Sequence, residues 1–198
     1  VILPIRVLGD PVLRRRAEAV GGVDDALRRL VDDLFETMYL AKGIGLAAPQ
    51  VGVSQRLFVV DVDGAKHVFV NPELVSVSPE TAAGEEGCLS IPEVFAEVTR
   101  PSVVTMRGTT LDGDPFELTA DELLGRCLQH EFDHLEGKLF PDHLSFLKRR
   151  RAMTEWGRME KEFPGHVRIL GPGDPGDPDA PRGDAASRDT THPDSERM

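Results

Sequence analysis

The run Gln129-His130-Glu131-Phe132-Asp133-His134 constrains this chain more than any other part of it. It follows Ala120-Asp121-Glu122-Leu123-Leu124-Gly125-Arg126-Cys127-Leu128, a stretch that reads as a helix. At about 100° per residue, four steps carry His134 almost back over His130. Both imidazoles can then meet one metal ion, with the Glu131 carboxylate in reach of water bound to it. Taken alone, such a pair also occurs without metal. Leu123, Leu124, Cys127 and Leu128 tip the balance, because they predict a buried stripe on roughly the histidine side.

Two ligands do not close a catalytic site, which usually takes three and keeps one position for water. In one protease arrangement the helix continues as H-E-x-x-H-x-x-G-x-x-H. Gly137 falls on that glycine, but Phe140 stands at the third histidine and a phenyl ring cannot coordinate. A second arrangement takes a glutamate from a later helix, and Glu155 lies 21 residues after His134. A third candidate is Cys88, within Glu86-Gly87-Cys88-Leu89-Ser90. Cysteine binds metal as thiolate, and the ion itself depresses the thiol pKa. The plainer use of a lone cysteine is as a small buried hydrophobe. From residue types and spacing, Glu155 and Cys88 both remain open.

Gly43-Ile44-Gly45-Leu46-Ala47-Ala48-Pro49-Gln50 adds a third element. Its small residues permit close backbone approach to a ligand and then a sharp turn. No following Lys-Ser/Thr or third glycine supports a nucleotide. Taken together, Gly43 to Gln50, Glu86 to Ser90 and Gln129 to Gly137 resemble the three signature motifs of the peptide deformylase family, in the same order. The likeness runs from the segment Ile5 to Leu13 as far as about Phe163.

The resemblance implies an enzyme that removes the N-formyl group from the initiator methionine of nascent polypeptides and releases formate. Cys88, His130 and His134 are then the metal ligands, and Glu131 the general acid/base. The Gln50 side-chain amide and the Leu89 backbone N–H hydrogen-bond the formyl oxygen. Gly43, Ile44, Gly45, Leu123 and Cys127 bind substrate, the apolar ones among them lining the slot for the methionine side chain. Gly84 stands where some relatives carry a larger apolar residue, so this slot is either wider or closed by another group. Glu86 and Arg100 pair to hold the cysteine loop. The same resemblance implies iron(II), with zinc(II) a close second. The ligand set by itself accepts either, and cobalt or nickel as well.

The residue types fit that chemistry. A cation held by one thiolate and two imidazoles lowers the pKa of its bound water to near neutrality. Glu131 can take that water's proton and later hand it to the leaving amine. Gln50 and the Leu89 N–H can stabilise the oxyanion formed at the formyl carbon, and losing one such donor typically costs about 2.7–4 kcal/mol. Two other readings stand beside this one: a zinc endopeptidase with Glu155 as third ligand, and a catalytically silent metal-binding module.

The 198 residues predict one catalytic domain over residues 1–164 and a disordered Pro/Gly/Asp-rich tail over 165–198. Leu27, Leu30, Val31, Leu34, Phe35 and Met38 repeat at helical spacing, predicting a helix from Asp24, its cap, to about Lys42, with Gly43 ending it. Strands are expected at Arg56 to Asp61, His67 to Asn71, Leu74 to Ser78, Phe95 to Arg107 and Pro115 to Leu118. Helix, then strands, then the histidine helix predicts an α+β fold, antiparallel sheets around a central helix with N-terminal and C-terminal helices.

The last helix is expected from Leu144 to Glu162 and carries Lys148-Arg149-Arg150-Arg151. Such a run is usually a solvated face. The resemblance adds ribosomal RNA as a partner for it. A net charge of −11 argues against DNA or general nucleic-acid binding. Val1 to Ile5 is too short for a signal-peptide core, no apolar run approaches a membrane span, and two cysteines make no disulfide framework. A cytoplasmic protein without a membrane partner is expected.

Overall fold

Leu57-Phe58-Val59-Val60 is an unbroken apolar run, and the structure shows a strand covered on both sides. The structure, a computed structural model, describes residues 1–177 and 179. In chain order its elements are β1 (Ile5–Arg6), α1 (Asp25–Leu40), β2 (Gly45–Ala47), β3 (Leu57–Val62), β4 (Ala65–Val77), β5 (Thr81–Cys88) and β6 (Ile91–Pro101). There follow β7 (Val103–Thr109), β8 (Pro115–Asp121), α2 (Glu122–Leu135), α3 (Phe146–Met159) and β9 (Val167–Arg168).

The central sheet has the order β2-β3-β4-β7-β8, every neighbouring pair antiparallel. Side chains alternate along a strand, so Leu57 and Val59 face one way and Phe58 and Val60 the other. Leu57 and Val59 join Leu27, Val31, Leu34 and Met38 of α1. Phe58 and Val60 join Phe69, Met106 and, from α2, Cys127 and Leu128. The helix bearing the histidines is thus pressed against one face of the sheet and α1 against the other. A separate hairpin, β5-β6, packs with Trp156 of α3 and Phe140 in a third cluster. The α+β expectation holds.

α1 begins where Asp24 accepts the Leu27 N–H at 2.8 Å. It ends in a Schellman arrangement: Gly43 N–H reaches the Met38 carbonyl at 2.9 Å and Lys42 N–H the Tyr39 carbonyl at 3.0 Å. The left-handed residue is Lys42, with φ 59°, and not the expected glycine.

Several strand expectations need correction. His67 to Asn71 and Leu74 to Ser78, Ser78 itself excepted, fall in one strand, β4, whose register shifts between Val70 and Glu73. Asn71 there takes φ 50° and Pro72 has no N–H to give, which makes a bulge rather than a break. Phe95 to Arg107 is divided between β6, in the hairpin, and β7, in the central sheet. β2 and β5 are not among the strands the sequence predicts.

The described structure continues past residue 164. Over residues 165–177 the chain is ordered: Arg168 pairs with Ile5 and Val167 with Arg6 in β9-β1. Arg168 and Asp174 are 2 % and 4 % exposed and bonded to each other, so this segment buries charge instead of trailing in water. The remainder of the expected tail, 178 and 180–198, lies outside the described residues.

Candidate metal centre and substrate cleft

α2 presents Cys127, His130, Glu131 and His134 at i, i+3, i+4 and i+7, one face of the helix. Cys88, the last residue of β5, meets that face. Cys88 Sγ lies 3.3 Å from His134 Nε2. One ligand atom each from Cys88, His130 and His134 falls within 4.8 Å of the other two. Glu155 is not among them: on α3 its carboxylate meets Arg151 at 3.1 Å. Phe140, at the position of the missing third histidine, stacks its ring on His130 with centroids 6.5 Å apart.

The imidazole of His130 is held from behind, its Nδ1 3.0 Å from Glu86 Oε2. That leaves Nε2 for a cation. Glu86 in turn receives Arg100 Nε at 2.5 Å and Arg100 Nη2 at 2.9 Å, the expected pair. Burial alone would raise the Glu86 carboxyl, but the Arg100 guanidinium and His130 hold it far below the usual carboxylate range. Arg126 was not foreseen in this network. Its Nη1 donates to Glu86 Oε1 at 2.8 Å and to the Val98 carbonyl at 2.9 Å, and its Nη2 to the Ala82 carbonyl at 2.9 Å. Asp133 is a second addition: it accepts Arg100 Nη1 at 2.8 Å and faces His143 Nε2 at 2.7 Å.

Gln50 sits in a short helical turn after β2, 1 % exposed. Its Oε1 accepts the Ala47 N–H at 2.8 Å, which fixes which end of the amide is which. Nε2 therefore points into the site, 3.6 Å from Cys88 Sγ and 3.2 Å from Ser90 Oγ. Ser90, fully buried, was also missed, and only its place beside Cys88 could have suggested it.

Glu131 is 4 % exposed, and among the described residues its Oε2 finds no hydrogen-bond partner. Burial pushes its carboxyl up to about 7, against a smaller lowering from His130. A carboxyl so placed can both take and return a proton near neutral pH. Gly45 lets the chain pass this close, since a Cβ there would overlap Glu131 Oε1 and come within 2.9 Å of Cys127 Sγ. Burial raises the Cys127 thiol well above its ordinary pKa, and its Sγ faces the Ile44 carbonyl at 3.7 Å.

A cavity of about 330 Å³ joins these parts. The expected substrate residues Gly43, Ile44, Gly45, Leu123 and Cys127 all border it, as do Gln50, Cys88, Leu89, His130 and Glu131. Leu123 differs from expectation in being 49 % exposed, at the rim and not in a buried stripe. The donors are a thiol and two imidazoles, and a buried carboxylate oxygen without a partner lies on the next residue. This set fits a divalent transition metal with a water beside it.

Comparison with known proteins points the same way. The family profile described as "Polypeptide deformylase" matches residues 2–150. A peptide deformylase of Azotobacter vinelandii is 49 % identical over 168 residues, 83 % of this chain and 98 % of that protein. One of Zymomonas mobilis is 50 % identical over 163 residues, covering 78 % and 92 %. Among solved structures, a peptide deformylase from Legionella pneumophila superposes with a TM-score of 0.78 at 45 % identity, covering 82 % of this chain and 97 % of that one. A peptide deformylase from Synechococcus elongatus in complex with actinonin gives 0.74 at 43 % identity, covering 77 % and 85 %. With its histidine helix, cysteine turn and glutamine turn converging on one cavity, the chain belongs to the polypeptide deformylase family.

Proposed function

We propose that this chain hydrolyses the N-formyl amide of formyl-methionyl peptides, releasing formate and a free amino terminus. The observation that carries the reading is the 3.3 Å approach of Cys88 Sγ to His134 Nε2, which closes a ligand set the helix alone leaves incomplete. Cys88, His130 and His134 would hold one divalent ion, iron(II) in our reading, with zinc(II) able to replace it. Such an ion supplies Lewis acidity and a water of lowered pKa.

The chain's own groups account for the remaining chemistry. Glu131, with its carboxyl near 7, accepts a proton from the attacking water and returns it to the departing amine. Gln50, its orientation fixed by Ala47, offers an N–H toward the formyl oxygen without adding a competing charge. The Leu89 backbone N–H is the second donor in this scheme. Gly43, Ile44, Gly45, Leu123 and Cys127 receive the methionine and its backbone, and Glu86 with Arg100 keeps His130 aimed.

Anaerobic purification with metal analysis, followed by a formate assay on formyl-Met-Ala-Ser, tests this. One ion per chain and formate release are expected. Cys88→Ala should lose both, while Glu155→Ala keeps both. Metal retained in Cys88→Ala and lost in Glu155→Ala would instead make the site an endopeptidase's. No formate at any metal loading would leave a binding module.

The cytoplasm is the compartment we propose. Among the described residues no helix is long and apolar enough to cross a membrane. We also assign ribosomal RNA as the partner of α3. Lys148, Arg149 and Arg151 reach Glu97, Asp142 and Glu155, while Arg150, Arg151 and Arg158 border a depression that the exposed Leu147 also lines. Neutralising residues 148–151 should abolish salt-sensitive co-sedimentation with ribosomes. Equal recovery of both proteins at all salt concentrations would remove the assignment.

A further inference from the structure

The C-terminal segment returns to the substrate cleft. Arg168 and Gly176 border the same cavity as Cys88 and His130, in company with Lys42, Pro92 and Glu93. Arg168 is the anchor. Its Nε lies 2.9 and 3.0 Å from the two Asp174 oxygens, and its Nη2 donates to the Gly176 carbonyl at 2.7 Å. Asp174 also accepts the Gly176 N–H at 2.9 Å, and Gly176 packs close beside Pro92. From this clasp the chain reaches Lys42, next to the substrate-binding Gly43. Lys42 Nζ donates to Asp177 Oδ1 at 2.8 Å and also to Asp179. The segment therefore joins the Pro92 rim to the Lys42 rim.

We propose that this strap makes the C-terminal segment a specificity determinant for the residues that follow methionine, favouring cationic side chains over anionic ones. The inference rests on the deformylase reading. Once methionine occupies the cavity, the rest of the peptide leaves past its rim. Lys42 and Arg168 bring two cations to this rim, which Glu85 and Glu93 also border. The strap sets three carboxylates, Asp174, Asp177 and Asp179, against those two cations and so adds net negative charge to the rim. Arg168 and Asp174 are buried and hold the strap in place, while Asp177 and Asp179 are the groups a passing peptide meets. At exposed positions such charges act modestly and are screened by salt.

The test compares kcat/KM on formyl-Met-Ala-Lys-Lys and formyl-Met-Ala-Asp-Asp, with formyl-Met-Ala-Ser as the neutral reference, in metal-loaded full-length enzyme at low salt. A preference of roughly two- to five-fold for the lysine peptide is expected. It should fall in Asp177→Asn/Asp179→Asn, which leaves Lys42 without its carboxylates, and vanish in about 0.5 M KCl. Lys42→Ala should raise it in both the wild-type and the amidated background, since each loses a cation at the rim. Thermal melting of each variant checks that the fold is kept. Equal rates on the two charged peptides, or a ratio unchanged by amidation, overturns the proposal while cleavage of the neutral peptide leaves the deformylase reading standing. Failure to cleave the neutral peptide overturns both.

Discussion

The Arg126 guanidinium fills the space that a side chain at Gly84 would need: a Cβ there would lie 2.9 Å from Arg126 Cζ and Nε. Arg126 borders the cavity that Cys88, His130 and Glu131 also line, and bonds Glu86, Val98 and Ala82 from that place. The missing side chain of one strand thus admits the charge of the neighbouring helix, and the cavity wall on this side is an arginine.

Gly84→Val should therefore act through Arg126. Pushing the guanidinium aside breaks a bond to a buried carboxylate, a loss of about 1.5–3 kcal/mol. Arg126→Ala should cost a similar amount, and the double variant little more than either alone. Denaturation midpoints and kcat/KM for all three measure the coupling. Additive effects would show that the two positions do not share this space.

Glu131→Gln keeps the shape of the side chain and removes its proton exchange. Turnover should fall by about 10²–10⁴-fold. Metal content should stay at one ion per chain, because Glu131 is not one of the three converging ligands. Loss of the ion in this variant would contradict the division between ligands and acid/base.

Arg100 and Glu86 are each no more than 6 % exposed, and Arg100 also holds Asp133. Arg100→Met leaves a buried carboxylate short of its partner, which should destabilise the fold by about 3–5 kcal/mol. Because Glu86 also orients His130, metal affinity should fall about 10–100-fold in the same variant. Chemical denaturation and metal competition read the two effects separately. A variant as stable as the parent would mean that Arg126 alone satisfies Glu86.

The parts legible in the sequence were those whose residues carry their own signal. α1 announces itself by apolar spacing and an Asp24 cap, and the histidine helix by its i, i+4 pair. Cys88 needed more than spacing, since a lone cysteine says nothing until Gln50 and the histidines accompany it in order. β2 and β5 were hidden. Gly45-Leu46-Ala47 and Thr81 to Cys88 are rich in small residues and glutamate, and they become strands only through pairing with β3 and β6. Arg126 reads as an ordinary surface residue of a helix, and its burial depends on a glycine 42 positions earlier. The strap was unreadable for a similar reason: Pro, Gly and Asp lack a core pattern, and only the burial of Arg168 with Asp174 orders them.

A last prediction concerns acid stability. Arg14 and Asp142 are 128 positions apart, and their side chains meet at 2.5 Å, joining the N-terminal turn to the turn before α3. Asp142 also accepts the Leu139 N–H at 3.0 Å. Burial alone would raise its carboxyl, but the Arg14 bond and the Leu139 N–H bring it below its ordinary value of 3.8. A carboxyl lowered by folding adds stability above its unfolded pKa and loses that contribution as the pH falls through its folded one. Arg14 is 41 % exposed on its side chain, so solvent screening limits the contribution to about 0.5–1 kcal/mol. In a chain of this size that is about 1–4 °C in Tm. Asp142→Asn should melt below the parent by that margin from pH 7 to 5, and the gap should close below about pH 4 as the parent's own carboxylate is neutralised. A gap that persists at pH 3, or widens as acid is added, would show that Asp142 stabilises the protein by shape and not by charge.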